Sequence, residues 1–291
     1  MNFYLCKSKI ITPLFMGGAN QQPELRTQSI NGLLRWWFRI AGGSIEDEKR
    51  LFGWAGEKSN QGLVRIFIKE PHFKPQNFSS GGHGYSYLGF SLRMTNREAV
   101  PVNKEFEIKI SFHPKSTEDD IKKFFCALWL AFNLGNFGSR SRRGFGSIMI
   151  EKIEEKEKDI RNDCFGLNFI PSENLGEWIK TNLNKIKNIL KSSARKEIPY
   201  LFDNFEIYEF KKGNNWQNLL NDAGQEYKEF RRRHKIHHRI IFGLPIVSVG
   251  EYRNLRRASF LVFKFCFIQS FKSSLGTKFK PKQSFVISFS F

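Results

Sequence analysis

The stretch 116–135 constrains the chain most. Ser116, Thr117, Glu118, Asp119 and Asp120 supply a helix N-cap and an acidic first turn, and IKKFFCALWLAFNL then runs apolar to Gly135. A helix apolar on nearly every face cannot stand in water, so it is expected to be buried, packed on a sheet. The surrounding sequence supplies that sheet. Residues 104–112 (KEFEIKISF) alternate, with Phe106, Ile108 and Ile110 facing one way, and SIMIEKI follows the helix as a strand. Residues 2–11, 62–69 and 85–94 also read as strands. Residues 27–41 read as a helix with Ile30, Leu33, Leu34, Trp37 and Ala41 on one face, and 46–51 as a short helical turn. The order β-α-β-β-β-α-β is close to a βαββαβ unit with an added strand.

Residues 151–163 (EKIEEKEKDIRND) are dense in both charge signs and lack aromatics, so a domain boundary is expected there, dividing the chain into 1–155 and 156–291. Beyond it, 172–193 and 215–235 read as helices, and 205–210, 239–249, 258–271 and 283–291 as strands. This second half is a further α+β unit.

Charge narrows the function. The chain of 291 residues carries 47 Lys+Arg against 28 Asp+Glu, a formal net charge of +19, which calls for an anionic partner. No apolar run approaches the roughly 20 residues of a membrane span. The first residues, MNFYLCKSKIITPLF, do not follow the pattern of a secretory signal. Cys6, Cys126, Cys164 and Cys266 are far apart with no CxxC spacing, so neither a zinc site nor a disulfide framework is expected. These readings point to a cytoplasmic protein with no cofactor, no metal and no membrane partner.

Two segments carry the chemistry of polyanion binding. In GNFGSRSRRGFG, Gly135, Gly138, Gly144 and Gly146 let the backbone turn sharply and approach a ligand. Arg140, Arg142 and Arg143 offer donors to phosphate, and Phe137 and Phe145 offer rings for base stacking. In the first helix, Arg35 and Arg39 are four apart and project together, with Arg26 just before it. Gly32 weakens that helix by about 1 kcal/mol relative to Ala, which suggests close approach by another backbone.

Together the motifs TPLFMGG, then ELRTQSINGLLRWWFR, then RSRRGFGS resemble the RAMP superfamily of CRISPR proteins, and within it the first RAMP subunits of type III-B (Cmr) effector complexes. IFGLPI at 241–246 and Arg256-Arg257-Ala258-Ser259 extend the resemblance into the second half. The chain departs from the pattern at Asn136, where another glycine is expected, and at Phe260, where a proline is usual. The resemblance implies two tandem ferredoxin-like, RRM-like domains. It also implies a non-slicing subunit near the 3′ part of a guide RNA, contacting guide or target RNA beside other protein subunits.

A third basic feature lies at 228–239 (KEFRRRHKIHHR), where Arg231, Lys235 and His238 share a side if the segment is helical, with Arg232 next to them. His234 and His238, four apart, leave open an alternative: a metal-independent endoribonuclease that processes guide RNA. Neutral histidines on an RNA-binding face explain them equally. No carboxylate pair or metal-ligand cluster stands out, so an enzyme is not the expected reading. The residues expected to contact RNA are Arg26, Arg35, Arg39, Gly138, Arg140, Arg142, Arg143, Gly144, Gly146, Arg231, Arg232, Lys235, Arg256 and Arg257.

Overall fold

The computed structural model describes residues 3–56, 59–78, 81–155, 158–159, 164–195, 198–203, 206–235, 239, 261–268 and 282–289. At its centre is β1 (Phe3–Ile10), antiparallel to β5 (Glu105–Phe112) on one side and β6 (Ile148–Glu155) on the other, with Cys6 opposite Ile108 and Ile153. With β2 (Val64–Lys69) and β7 (Lys158–Asp159) the sheet order is β2-β5-β1-β6-β7. Strict alternation in β1 buries Tyr4, Cys6, Ser8 and Ile10 and turns Phe3 and Lys7 to solvent.

The apolar segment forms α5 (Glu118–Asn133) as its composition demands, and every residue from Phe124 to Asn133 is buried. A capping box starts it: the Asp120 N–H donates to Thr117 Oγ1 (3.2 Å), and the Thr117 N–H donates to Asp120 Oδ2 (2.8 Å). The first helix, α1 (Thr27–Ile40), lies against α5, and α2 (Ile45–Phe52) anchors Arg50 on Asp120 at 2.8 Å.

Residues 85–94, expected as a strand, instead form α3 (His83–Leu88) and α4 (Phe90–Met94). Tyr85, Leu88 and Leu92 are the buried positions, and their spacing is helical rather than alternating. The two-residue ladder β3 (Gln76–Asn77) with β4 (Glu98–Ala99) flanks these helices. Without that strand, the order of the main sheet's first four strands and α1 and α5 is β-α-β-β-α-β.

The charged stretch after β6 does not end the first core. Residues 164–201 pack into it through Leu167, Phe169, Trp178, Ile179 and Ile186, most of them on or near α6 (Leu175–Ile189). Trp129 of α5 and Trp178 of α6 both donate their indole N–H to the Asn168 carbonyl, at 2.8 and 3.1 Å. The rest of the second half is β8 (Glu206–Gly213), α7 (Trp216–Arg233), β9 (Leu261–Ile268) and β10 (Lys282–Phe289), with sheet order β8-β10-β9. A second core joins the halves: Phe15, Tyr85, Leu88 and Phe145 meet Leu220, Tyr227, Phe263 and Phe265. Of the expected strand 239–249 only Arg239 is described, and IFGLPI, Arg256, Arg257 and Phe260 lie outside the described residues.

Candidate nucleic-acid interface

The glycine-rich segment between α5 and β6 is not a loose loop. The Phe137 N–H donates to Gly146 O (2.9 Å), closing the segment on itself. Ser139 N–H donates to Phe15 O (2.8 Å), Gly146 N–H to Pro13 O (2.9 Å), and Thr12 Oγ1 to Gly144 O (2.7 Å). The TPLFMGG motif and the glycine-rich motif, more than 100 residues apart, are therefore one structural object. Gly138, Gly144 and Gly146 have φ of +76°, +83° and +72°. A Cβ at Gly146 would stand 1.9 Å from Phe137 O, and at Gly138 2.5 Å from Phe15 O.

Asn136, which departs from the family pattern, explains itself here. Its side-chain amide donates to Ser141 O and to Phe263 O, each at 2.6 Å, and its Oδ1 accepts from Ser147 Oγ. The buried Lys264, 2 % exposed, reaches from β9 to donate to Gly135 O at 2.7 Å and Ile148 O at 3.3 Å. The second half of the chain thus holds the loop in place.

Latching the loop this way decides which side chains reach solvent. Phe137 and Phe145 were expected to offer stacking faces, but both are buried: Phe137 packs on Phe132, and Phe145 on Phe15, Phe78 and Tyr85. They are the apolar pegs of the loop. The aromatics that meet its arginines come from elsewhere. The Arg142 guanidinium stands 5.5 Å from the Trp36 ring of α1, and Arg143 stands 4.7 Å from Tyr227 of α7. Arg231 lies 5.7 Å from the same tyrosine and donates to the Tyr87 hydroxyl of α3 at 3.2 Å. Arg140, in the left-handed region at φ +59°, donates to Ser91 Oγ at 2.9 Å.

Burial pushes the pKa of Arg140, Arg142 and Arg143 down from the ordinary guanidinium value. At Arg143, Tyr227 partly offsets this, while Arg231 and Arg140 add like-charge repulsion. A desolvated cluster of like charges is stabilised by an incoming anion, and guanidinium and phosphate match in hydrogen-bond geometry. Tyr87 and Tyr227 carry no motif that marks them in the sequence; Tyr227 stands four residues before Arg231 on α7, a spacing that places them on one face.

The other expected contacts fall in different settings. Arg35 and Arg39 both grip Glu48 of α2, which is 3 % exposed: their Nη2 atoms lie 2.9 and 2.6 Å from Glu48 Oε1. Arg195 adds a third guanidinium at 3.1 Å from Oε2. Arg26 pairs with Glu24 at 3.0 Å and donates to Gly17 O. Arg231 and Lys235 do not share a helical side as expected, because α7 ends at Arg233 and His234 is extended at ψ 142°. The arginines of the last turn complement the helix dipole there. Arg232 and Lys235 are exposed, and His237 and His238 lie outside the described residues. His234 Nδ1 sits 2.8 Å from Phe230 O at the helix end. Among the described residues no group of three or more His, Cys, Asp or Glu is placed to hold a metal ion, and no helix is long and apolar enough to cross a membrane.

Glu48 and Asp120 also set the acid response. Burial alone would raise the Glu48 carboxyl, but hydrogen bonds from Arg39, Arg35 and Arg195 hold it below the usual carboxylate range; Arg50 and Thr117 do the same for buried Asp120. A carboxyl with a depressed folded pKa contributes stability that is present above its unfolded value, about 4. That stability is lost as pH falls through the folded value. The melting temperature is therefore expected to be flat near neutral pH and to drop below about pH 4, with a shallower drop in Asp120→Asn, measurable by scanning fluorimetry.

Comparisons with known proteins show which family and fold this chain shares. The RAMP superfamily profile matches residues 7–149. Cmr subunit Cmr1-1 of Pyrococcus furiosus is 31 % identical over 269 residues, covering 84 % of this chain and 77 % of that protein, and Cmr1-2 of the same organism is 30 % identical over 179 residues, 50 % of this chain and 93 % of that one. The crystal structure of apo Cmr1 from Pyrococcus furiosus superposes with a TM-score of 0.68 at 26 % identity, over 100 % of this chain and 89 % of that one. A chain of the cryo-EM structure of type III-B Cmr-beta bound to cognate target RNA shares the fold, with a TM-score of 0.59 at 14 % identity over 99 % and 94 %. With its two linked sequence motifs forming one latched loop, this chain belongs to the RAMP superfamily, among the Cmr1 subunits of CRISPR Cmr systems.

Proposed function

We propose that this chain is a non-catalytic, RNA-binding subunit of a type III-B effector, holding guide or target RNA by its backbone beside other Cmr subunits. The observation that carries this reading is the layered cluster of Arg142 on Trp36 and of Arg143 and Arg231 on Tyr227, with Arg140 alongside. Arginines bind phosphates, and the rings hold the guanidiniums in place without neutralising them. The strand order β2-β5-β1-β6 supports a ferredoxin-like first unit, and β8-β10-β9 with α7 supports a second, related one. Because residues 164–201 pack into the first core, we place the division between the units near residue 203 rather than at 155.

Backbone recognition has a salt signature. If about six phosphates are contacted, affinity for single-stranded RNA falls by about 300-fold between 50 and 200 mM salt. Fluorescence anisotropy across a salt series measures the slope, and a flat profile sinks the reading. The endoribonuclease alternative is checked in the same preparation: labelled repeat RNA incubated in EDTA is expected to be bound and left intact. Cleavage lost in His234→Ala would favour the enzyme.

A further inference from the structure

The grip of Arg35, Arg39 and Arg195 on one buried carboxylate has an electrostatic remainder. Three guanidiniums surround Glu48, so three positive charges meet one negative. Arg35 and Arg39 each spend Nε and Nη2 on the same oxygen, Oε1. Each has a further amino group, Nη1, with no partner among the described residues, and the Arg39 side chain is 38 % exposed. Arg195 is the more enclosed: besides Glu48 it donates to Gly43 O, which ties the segment after α6 to the end of α1.

One face of α1 beside this cluster is open at Gly32. An added Cβ at Gly32, one turn before Arg35 and Trp36, would meet no heavy atom within 4 Å. The close neighbour expected for this glycine is therefore not part of the described chain. Gly32 and Ser29 are exposed, and Trp36 carries Arg142 of the glycine-rich loop at 5.5 Å. Helical spacing puts Ser29, Gly32, Trp36 and Arg39 on one face. A helix-interior glycine weakens the free protein, yet no contact within the described chain needs it.

We propose that Glu48 is a positioning residue that holds Arg35 and Arg39 as a preassembled site for one phosphodiester of single-stranded RNA, with Arg195 bracing Glu48 from behind and Gly32 giving the sugar–phosphate chain its closest approach to α1. The proposal rests on the RNA-binding reading and deepens it. Charge complementarity favours RNA over a protein neighbour: the face presents guanidiniums, a hydroxyl and an indole, and the one carboxylate beneath it is spent on the arginines.

Anisotropy with a labelled single-stranded RNA, in a salt series, tests this on the full chain. Gly32→Ala has room for its methyl, so it is expected to raise Tm by about 2 °C. It is also expected to weaken RNA binding about tenfold. Stability and binding move in opposite directions, which a structural role for Gly32 would not produce. Glu48→Gln removes a negative charge from the interface, and electrostatics alone would then tighten RNA binding. Loss of positioning instead weakens it about five- to tenfold and lowers the slope of log K against log salt by about one. A folded Glu48→Gln that binds as tightly as wild type, or tighter, overturns the proposal, and so does a Gly32→Ala variant with unchanged affinity. In both cases the wider RNA-binding reading stands if the wild-type salt slope is steep. Retained RNA binding with lost assembly into the Cmr complex would assign α1 to a protein neighbour and equally overturn it.

Discussion

Replacing Arg142 and Arg143 together by Glu is expected to lower RNA affinity by at least about a hundredfold at constant salt. Each charge-assisted contact to phosphate contributes about 1.5–3 kcal/mol, and reversing the sign adds repulsion to the loss. The two positions differ in what else they do. Arg142 lies over Trp36 of α1, whereas the half-buried Arg143 is packed over Tyr227, itself a member of the second core. Glu at 143 therefore also costs stability, and the double variant is to be read beside Arg140→Gln with Arg142→Gln, which leaves Arg143 in place and removes two charges without adding any of opposite sign. The neutral pair is expected to weaken binding about tenfold or more with Tm nearly unchanged. Anisotropy paired with thermal melting separates the two effects. An unaltered affinity in the neutral pair removes this loop from the interface.

Gly146→Ala is expected to destabilise the fold strongly. The backbone there has φ +72°, and the new Cβ would lie 1.9 Å from Phe137 O. That carbonyl belongs to the residue whose N–H closes the loop on Gly146 O, so the clash and the closing hydrogen bond cannot both be relieved in place. Left-handed strain and overpacking together cost about 3 kcal/mol, a fall in Tm of about 6 °C or more. Opening the loop also unseats Phe145 from Phe15, Phe78 and Tyr85, and so displaces Arg143 and Arg142. RNA affinity is expected to fall with stability, the reverse of the split expected for Gly32→Ala. Scanning calorimetry and anisotropy on the same preparation check both halves, and a variant as stable as wild type refutes the latch.

Much of the first unit is legible because local signals and burial agree. The Thr117–Asp120 capping box, the apolar run after it and the alternation in β1 and β5 each have one low-energy solution. Residues 85–94 lack such agreement. YSYLGFSLRM is rich in aromatics, which favour strands, and only the packing of α3 against α7, with Tyr85, Leu88 and Leu92 in the second core, selects the helix. The glycine-rich loop was readable as a special backbone, since Gly138, Gly144 and Gly146 do take positive φ. Its phenylalanines are buried rather than presented for stacking, because composition cannot say whether a ring faces a base or a core.

The sequence by itself determined an α+β chain with a buried helix on an antiparallel sheet, an excess of 19 positive charges, and two motifs whose combination marks a RAMP protein. Only the tertiary structure decided where that charge is usable. Arg35 and Arg39 look alike in sequence to Arg140 and Arg142, yet a buried carboxylate 9 and 13 residues further on holds the first pair, and distant aromatics support Arg142. The reason is that a charge's partners are set by long-range packing. Tyr227 and Lys264 reach the loop only after the two halves close over a shared core, Glu48, Arg195 and Trp36 meet their arginines through packing within the first unit, and no periodicity within a short window records either approach.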